Sequence, residues 1–277
     1  MKNLHPFLLP YYISIISRGN IYNFFVINFV LHTGPFLFTL IVYSFICFDL
    51  SKAISLIWLY IFIYLIFFPL YEIGYIVDEY VTIKSGGVGK YLKCCTSKEK
   101  EISHYLIIGS LLRLVLFSGL LHLLPLPDKI TILWLSILLL ATFLCHNFVN
   151  IHYRTRTTYP VLQFLKTIFI FMPLTEHSIE KMEMMFYSLS YAFILSVYYI
   201  HKKLNQLTKF YETPLIYFSA LVANFTILNI IYILLSTYTI GELLIFPISI
   251  VAYYAMLKSL KLLSEHLRHF LSMLSKH

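Results

Sequence analysis

A run of 17 residues, ISLIWLYIFIYLIFFPL at 54–70, contains no charge and ends directly in YEIGYIVDEYVTIK, which brings Glu72, Asp78 and Glu79 within eight residues. An uncharged run of this kind approaches the ~20 residues that cross the hydrocarbon of a bilayer. Carboxylates are costly in or near lipid. The chain therefore has to place an apolar helix and an acidic cluster end to end, and few folds allow that.

The rest of the sequence repeats the apolar theme. Eight stretches of helix-spanning character lie near 24–48, 52–77, 104–124, 130–150, 160–174, 184–200, 214–236 and 241–262. Composition agrees: 59% of residues are hydrophobic and 12% charged, against roughly 25% charged in an ordinary soluble domain. The expected fold is an all-α integral membrane bundle of eight transmembrane helices, or nine if a short further helix crosses, forming a single domain over 1–277. Residues 1–20 carry Lys2 but are broken by Pro6 and Pro10, and no small-residue cleavage site follows. They read as an interfacial segment and not as a cleaved signal. Residues 263–277 read as an amphipathic cytoplasmic tail.

Orientation follows from the basic residues. With the N-terminus in the cytoplasm, 17 of the 21 Lys and Arg fall on the cytoplasmic side. Lys52, Lys129 and Lys181 fall outside, and Arg113 lies within a span. The net charge of +8 is then accounted for by topology and anionic headgroups, and nucleic acid is not an expected partner. Cys47 and Cys145 sit in apolar stretches and Cys94 and Cys95 are adjacent, which is not a zinc-ligand spacing. SGGVG at 85–89 is a loop and lacks the context of a phosphate-binding fingerprint.

If the second helix continues past Tyr71, Glu72, Tyr75 and Glu79 share one face, with Asp78 about 120° away. Two readings are open. The acids are a solvated interfacial cluster paired with Lys84 or Lys90, or they hold a divalent cation. Magnesium binds through one or two carboxylates and shares its other positions with water and phosphates. A second constellation, CHNFVNIHYRTRTTYPVLQFLK, follows the fourth stretch on the same side. It supplies His146, Asn147, Asn150, Arg154, Arg156 and Lys166. Guanidinium forks suit phosphate oxygens; the positive-inside bias alone also explains the arginines. A third group holds Lys202 and Lys203, which read equally as headgroup contacts. Arg113 is expected to pair with Glu72 or Asp78 on the neighbouring helix. Asn224 and Asn229 are expected to bond between helices.

These motifs, in this order along most of the chain, resemble the UbiA superfamily of intramembrane prenyltransferases. YEIGYIVDEYVTIK is similar to the acidic motif of a UbiA-like branch associated with bacterial surface-polysaccharide loci, and the His146–Asn147 pair with LQFLK fits that branch. The resemblance implies a helical bundle in a bacterial plasma membrane, with a cytoplasm-facing site. It implies a magnesium-dependent transferase acting on a prenyl or polyprenyl phosphate or diphosphate, in the synthesis of cell-surface polysaccharide or lipid-linked sugar. Two departures shape what is carried over. Val77 stands where the family motif has Asn, and Lys202, Lys203, Lys209 and Glu212 stand where a second acidic motif belongs. The resemblance then implies one metal at Asp78, Glu79 and Glu72, which are also the catalytic candidates. The substrate-binding candidates are Lys84, His146, Asn147, Asn150, Arg154, Arg156, Lys166, Lys202 and Lys203. A polyprenyl-phosphate phosphoribosyltransferase and a non-catalytic lipid-binding membrane protein are the alternatives.

Overall fold

The computed structural model describes residues 8–16, 21–84, 99–124, 126–149, 157–204, 214–235 and 244–259. These residues are all-helical, in ten α-helices. They are α1 Tyr12–Ile16, α2 Ile21–Phe25, α3 Gly34–Cys47, α4 Leu50–Lys84, α5 Glu99–His122 and α6 Leu126–Phe148. They continue with α7 Thr158–Phe171, α8 Ser178–Leu204 and α9 Pro214–Leu235, and end with α10 Leu244–Ser259. A π-helical segment, Val26–Thr33, joins α2 to α3, and a 3-10 turn, Met172–Leu174, ends α7. Among the described residues, the eight apolar stretches of the sequence fall mostly on helix. Two helices, Leu50–Thr82 and Lys129–Phe148, are long and apolar enough to cross a membrane.

The 35-residue α4 is the strut of the fold. At 1.5 Å per residue it is about 52 Å long, well beyond a ~30 Å hydrocarbon layer. It packs on α5, α3, α6, α7 and α1. Asp49 starts it: Oδ1 accepts the Lys52 amide at 2.7 Å and the Ser51 hydroxyl at 2.8 Å. This satisfies one of the unpaired amides that any helix N-terminus exposes. These two donors hold the Asp49 carboxyl below its ordinary value, with the Lys52 amide the larger cause.

Pro69 lies inside α4. Proline has no amide hydrogen, so the Leu65 carbonyl one turn earlier loses its helical partner. The Tyr11 hydroxyl replaces it, donating to the Leu65 oxygen at 3.0 Å. The N-terminal segment, read from sequence as interfacial, is therefore docked on α4, with Ile13 and Ser14 buried.

The core is aromatic. Phe36, Phe67, Phe169, Phe171, Phe225 and Phe246 are fully buried with Tyr64 and Tyr187. Their rings meet edge-on or offset, as for Phe36 and Phe171 at 4.9 Å and 74°, the arrangement ring quadrupoles favour. The outward faces are also apolar. On α5, Ile107, Leu111 and Val115 are exposed, and on α6 Ile130, Trp134 and Ile137.

Candidate functional site

Arg113 and Glu72 are both completely buried, and Arg113 Nε donates to Glu72 Oε2 at 2.8 Å. The remaining bonds explain how two charges survive there. Glu72 Oε2 also accepts the Tyr11 amide at 2.8 Å, and Oε1 accepts the Ser14 amide at 2.7 Å. The guanidinium donates on to the carbonyls of Gly109 and Leu9, each at 3.0 Å. A buried pair is tolerated only when its other lone pairs and hydrogens are satisfied in this way. Tyr11 reaches its double role with φ at 70°, a left-handed conformation that costs a non-glycine residue about 1–2 kcal/mol. Burial first, and then the Glu72 charge, raise the Tyr11 phenol above its ordinary value. Its hydroxyl thus stays a donor.

This geometry removes Glu72 from the expected metal set. Both of its oxygens are committed to Arg113 and to backbone amides, and it acts as a cross-brace between the N-terminal segment, α4 and α5. Asp78 and Glu79 lie further along α4, Asp78 half-buried and Glu79 buried. Among the described residues no group of three or more His, Cys, Asp or Glu side chains lies together as a metal site. Magnesium carried by a phosphorylated ligand needs fewer, one or two carboxylates; Asp78 and Glu79 are adjacent on α4, about 100° apart around its axis.

Three successive turns of α4 gather groups from two other helices. At Tyr71, the Lys166 ammonium of α7 lies 5.2 Å above the ring. Lys166 is buried and donates to Asn28 Oδ1 at 3.3 Å. At Gly74, the buried Asn147 of α6 donates Nδ2 to the carbonyl at 3.2 Å. At the next turn come Asp78 and Glu79. Gly74 is what lets α6 approach: a Cβ there would meet the Phe143 ring at 2.5 Å. His146, half-buried, pairs Nδ1 with the Thr158 hydroxyl at 2.9 Å, which ties the end of α6 to the start of α7. Lys84 is exposed, its ammonium 5.9 Å from the Tyr80 ring. Asn150, Arg154 and Arg156 lie outside the described residues, as do the side chains of Lys202 and Lys203.

A polar cluster that the sequence reading passed over lines the bundle next to Lys166. The π-helical turn Val26–Thr33 shifts backbone carbonyls out of register, and three tyrosines fill the gaps. Tyr64 donates to the Asn28 carbonyl at 2.9 Å, Tyr253 to Val30 at 3.0 Å and Tyr187 to His32 at 2.6 Å. Thr33 joins the hydroxyls of Tyr60 and Tyr64. His32 Nε2 meets the Thr167 hydroxyl at 3.0 Å. That hydroxyl donates to the Gln163 carbonyl at 3.0 Å, so the hydrogen of the first bond sits on His32 Nε2. The His32 ring stacks on Tyr191 at 4.3 Å. The signal was present in NFVLHTGP: Asn28, His32 and Thr33 interrupt an apolar run, and π-turns gather at functional sites.

No protein-family model, curated protein or solved structure matches the chain.

Proposed function

We propose that the chain is a multi-pass membrane transferase of UbiA-like type, with its site at the cytoplasmic end of α4 and an isoprenoid phosphate as substrate. The observation that carries this reading is the convergence on α4 of a buried ammonium at Tyr71, a buried amide at Gly74 and a carboxylate pair at Asp78 and Glu79. Those groups occupy about 12 Å of one helix. Membrane insertion is supported by the apolar outer faces of α5 and α6, since exposed apolar surface on this scale marks a lipid or protein partner. The Lys and Arg asymmetry supports a cytoplasmic site.

In this site Asp78 and Glu79 would hold magnesium, which when bound offsets charge that develops on a departing diphosphate. The Lys166 ammonium binds a phosphate oxygen, with Asn28 and the Tyr71 face fixing its direction. Asn147 and His146 set the spacing of α6 and α7 around that oxygen. The rings of Phe67, Tyr71 and Phe143, in contact at 5.0 Å centroid distances, exclude water from the isoprenoid end. The commitment of Glu72 to Arg113 favours one variant. With two carboxylates and a buried ammonium, the site suits one magnesium-bound pyrophosphate donor and one lipid phosphate, as phosphoribosyl transfer to a polyprenyl phosphate requires.

The test is pyrophosphate release by the purified protein in lipid with magnesium. Two substrate pairs are offered: phosphoribosyl pyrophosphate with polyprenyl phosphate, and a prenyl diphosphate with an aromatic acid. Release is expected with one pair, and is expected to fall at least 100-fold in Asp78→Asn at unchanged thermal stability, as for loss of a preorganised electrostatic group. Release that survives Asp78→Asn, or none with either pair, overturns the reading.

A further inference from the structure

The opposite end of the bundle holds a buried acid that the site above does not use. Glu183 lies in the second turn of α8 and is completely buried. Neither of its carboxylate oxygens has a hydrogen-bond donor among the described residues. The polar side chain beside it is Asn229 of α9, itself buried. Asn229 was expected to bond between helices. Its Nδ2 donates to the Phe225 carbonyl of its own helix at 3.1 Å and its Oδ1 has no donor, while the same amide faces Glu183 across the contact between α9 and α8.

Among the described side chains around it, no cation is placed to balance a carboxylate. On α8 itself, Glu180 is committed to the helix start, accepting the amides of Glu176 at 2.7 Å and His177 at 3.0 Å, and Lys181 is exposed. Helices α7, α9 and α3 pack on α8, and α10 brings Tyr253 near Tyr187; the charge on α10, Lys258, is exposed. Among their described side chains, α3 and α9 carry no charge, and the Lys166 ammonium of α7 lies toward the other end, bonded to Asn28. An isolated buried carboxylate takes up a proton in preference to remaining charged. A single proton removes the buried charge and gives one Glu183 oxygen a hydrogen to donate.

We infer that Glu183, beside Asn229, is a proton-binding site, in which Glu183 is a neutral carboxylic acid at neutral pH. The site is independent of the transferase reading and lies one helical turn from Tyr187, whose hydroxyl opens the polar cluster around His32. A monovalent metal ion is the competing occupant, since it too binds to oxygen ligands.

Infrared spectra of the full-length protein in lipid vesicles decide the matter, because exposed carboxyls are ionised at neutral pH and do not contribute to the protonated carbonyl band. The band is expected in the wild type, is expected to vanish in Glu183→Gln, and is expected to shift in Asn229→Leu, where the polar neighbour of Glu183 is gone. Absence of the band from the wild type, or a band that Asn229→Leu leaves in place, overturns the inference. So does a band that disappears when sodium is added at fixed pH, which would assign the site to the metal ion. Should Glu183→Gln fail to fold, the wild-type band and the Asn229→Leu shift still give the answer.

Discussion

Arg113 is the residue whose removal the protein should tolerate least. Its guanidinium bonds Glu72, Gly109 and Leu9 from a position with no exposure. Breaking a buried pair by deleting one partner leaves the other charge uncompensated, at a cost of about 3–5 kcal/mol. Arg113→Ala is therefore expected to lower the thermal unfolding midpoint in detergent more than Glu72→Gln. Glu72→Gln leaves Arg113 without its counter-charge, but the glutamine keeps the side-chain volume and an acceptor oxygen, whereas alanine removes all three guanidinium bonds and leaves a cavity. Equal losses would mean that the charge pair, and not the further guanidinium bonds, carries the brace. The pairing was legible in the sequence, since an arginine inside an apolar run needs an acid and Glu72 is on the adjacent helix. The part played by Tyr11 was not. It depends on a positive φ and on a carbonyl freed by Pro69, and neither is written in the spacing of residues.

At the scale of elements, α4 carries the argument, and its two ends make separate predictions. In its C-terminal half, Gly74→Ala places a methyl group against the Phe143 ring. Overpacking of this kind costs roughly 1–3 kcal/mol. The substitution should reduce both stability and pyrophosphate release, because the Asn147 bond to the Gly74 carbonyl sits at the same contact. Release that is unchanged in the presence of a lowered midpoint would separate that contact from the site. At the other end, Asp49 has a depressed carboxyl. The stabilisation it gives α4 is fully present above the carboxyl's unfolded value and is lost as pH falls through the lower folded value. The difference in unfolding midpoint between wild type and Asp49→Ala should therefore be constant near neutrality and close in strongly acidic solution. A difference independent of pH across that range would exclude the charge as its source. Helix positions followed from apolar runs bounded by charge. The π-turn did not, since a widened turn is set by the tyrosines that reach it from α4, α8 and α10.

Across the molecule, contacts between elements distant in sequence sort by end. Lys52 meets Glu176 at 3.1 Å, and Phe48 stacks on His177 at 5.0 Å, joining two turns that the basic-residue count assigns to the outer side. Asn147 with Gly74 and Tyr159 with Tyr199, stacked at 4.1 Å, join the segments assigned to the cytoplasm. A reporter inserted at Leu124, in the α5–α6 turn, should accordingly lie outside, and one placed after Ser259 should lie in the cytoplasm. Reporters on the same side would remove the alternating arrangement. At this scale the helical class and the clustering of polar residues at one end were readable from sequence. The buried Glu183 was not, because two acids close together at a helix start read as solvated first-turn residues. Only the packing of α9 against α8 shows that Glu180 caps the helix while Glu183 does not.

The bond from Arg113 to the Leu9 carbonyl spans 104 positions of the chain. At translation rates of roughly 5–20 residues per second, the N-terminal segment leaves the ribosome about 5–20 seconds before the arginine that fastens it. During that interval Tyr11 and Ser14 have no brace, and Glu72, once made, is an acid without its counter-charge. Residues made well before Arg113 are thus among the last to be fixed, and their docking reports that α4 and α5 have already come together.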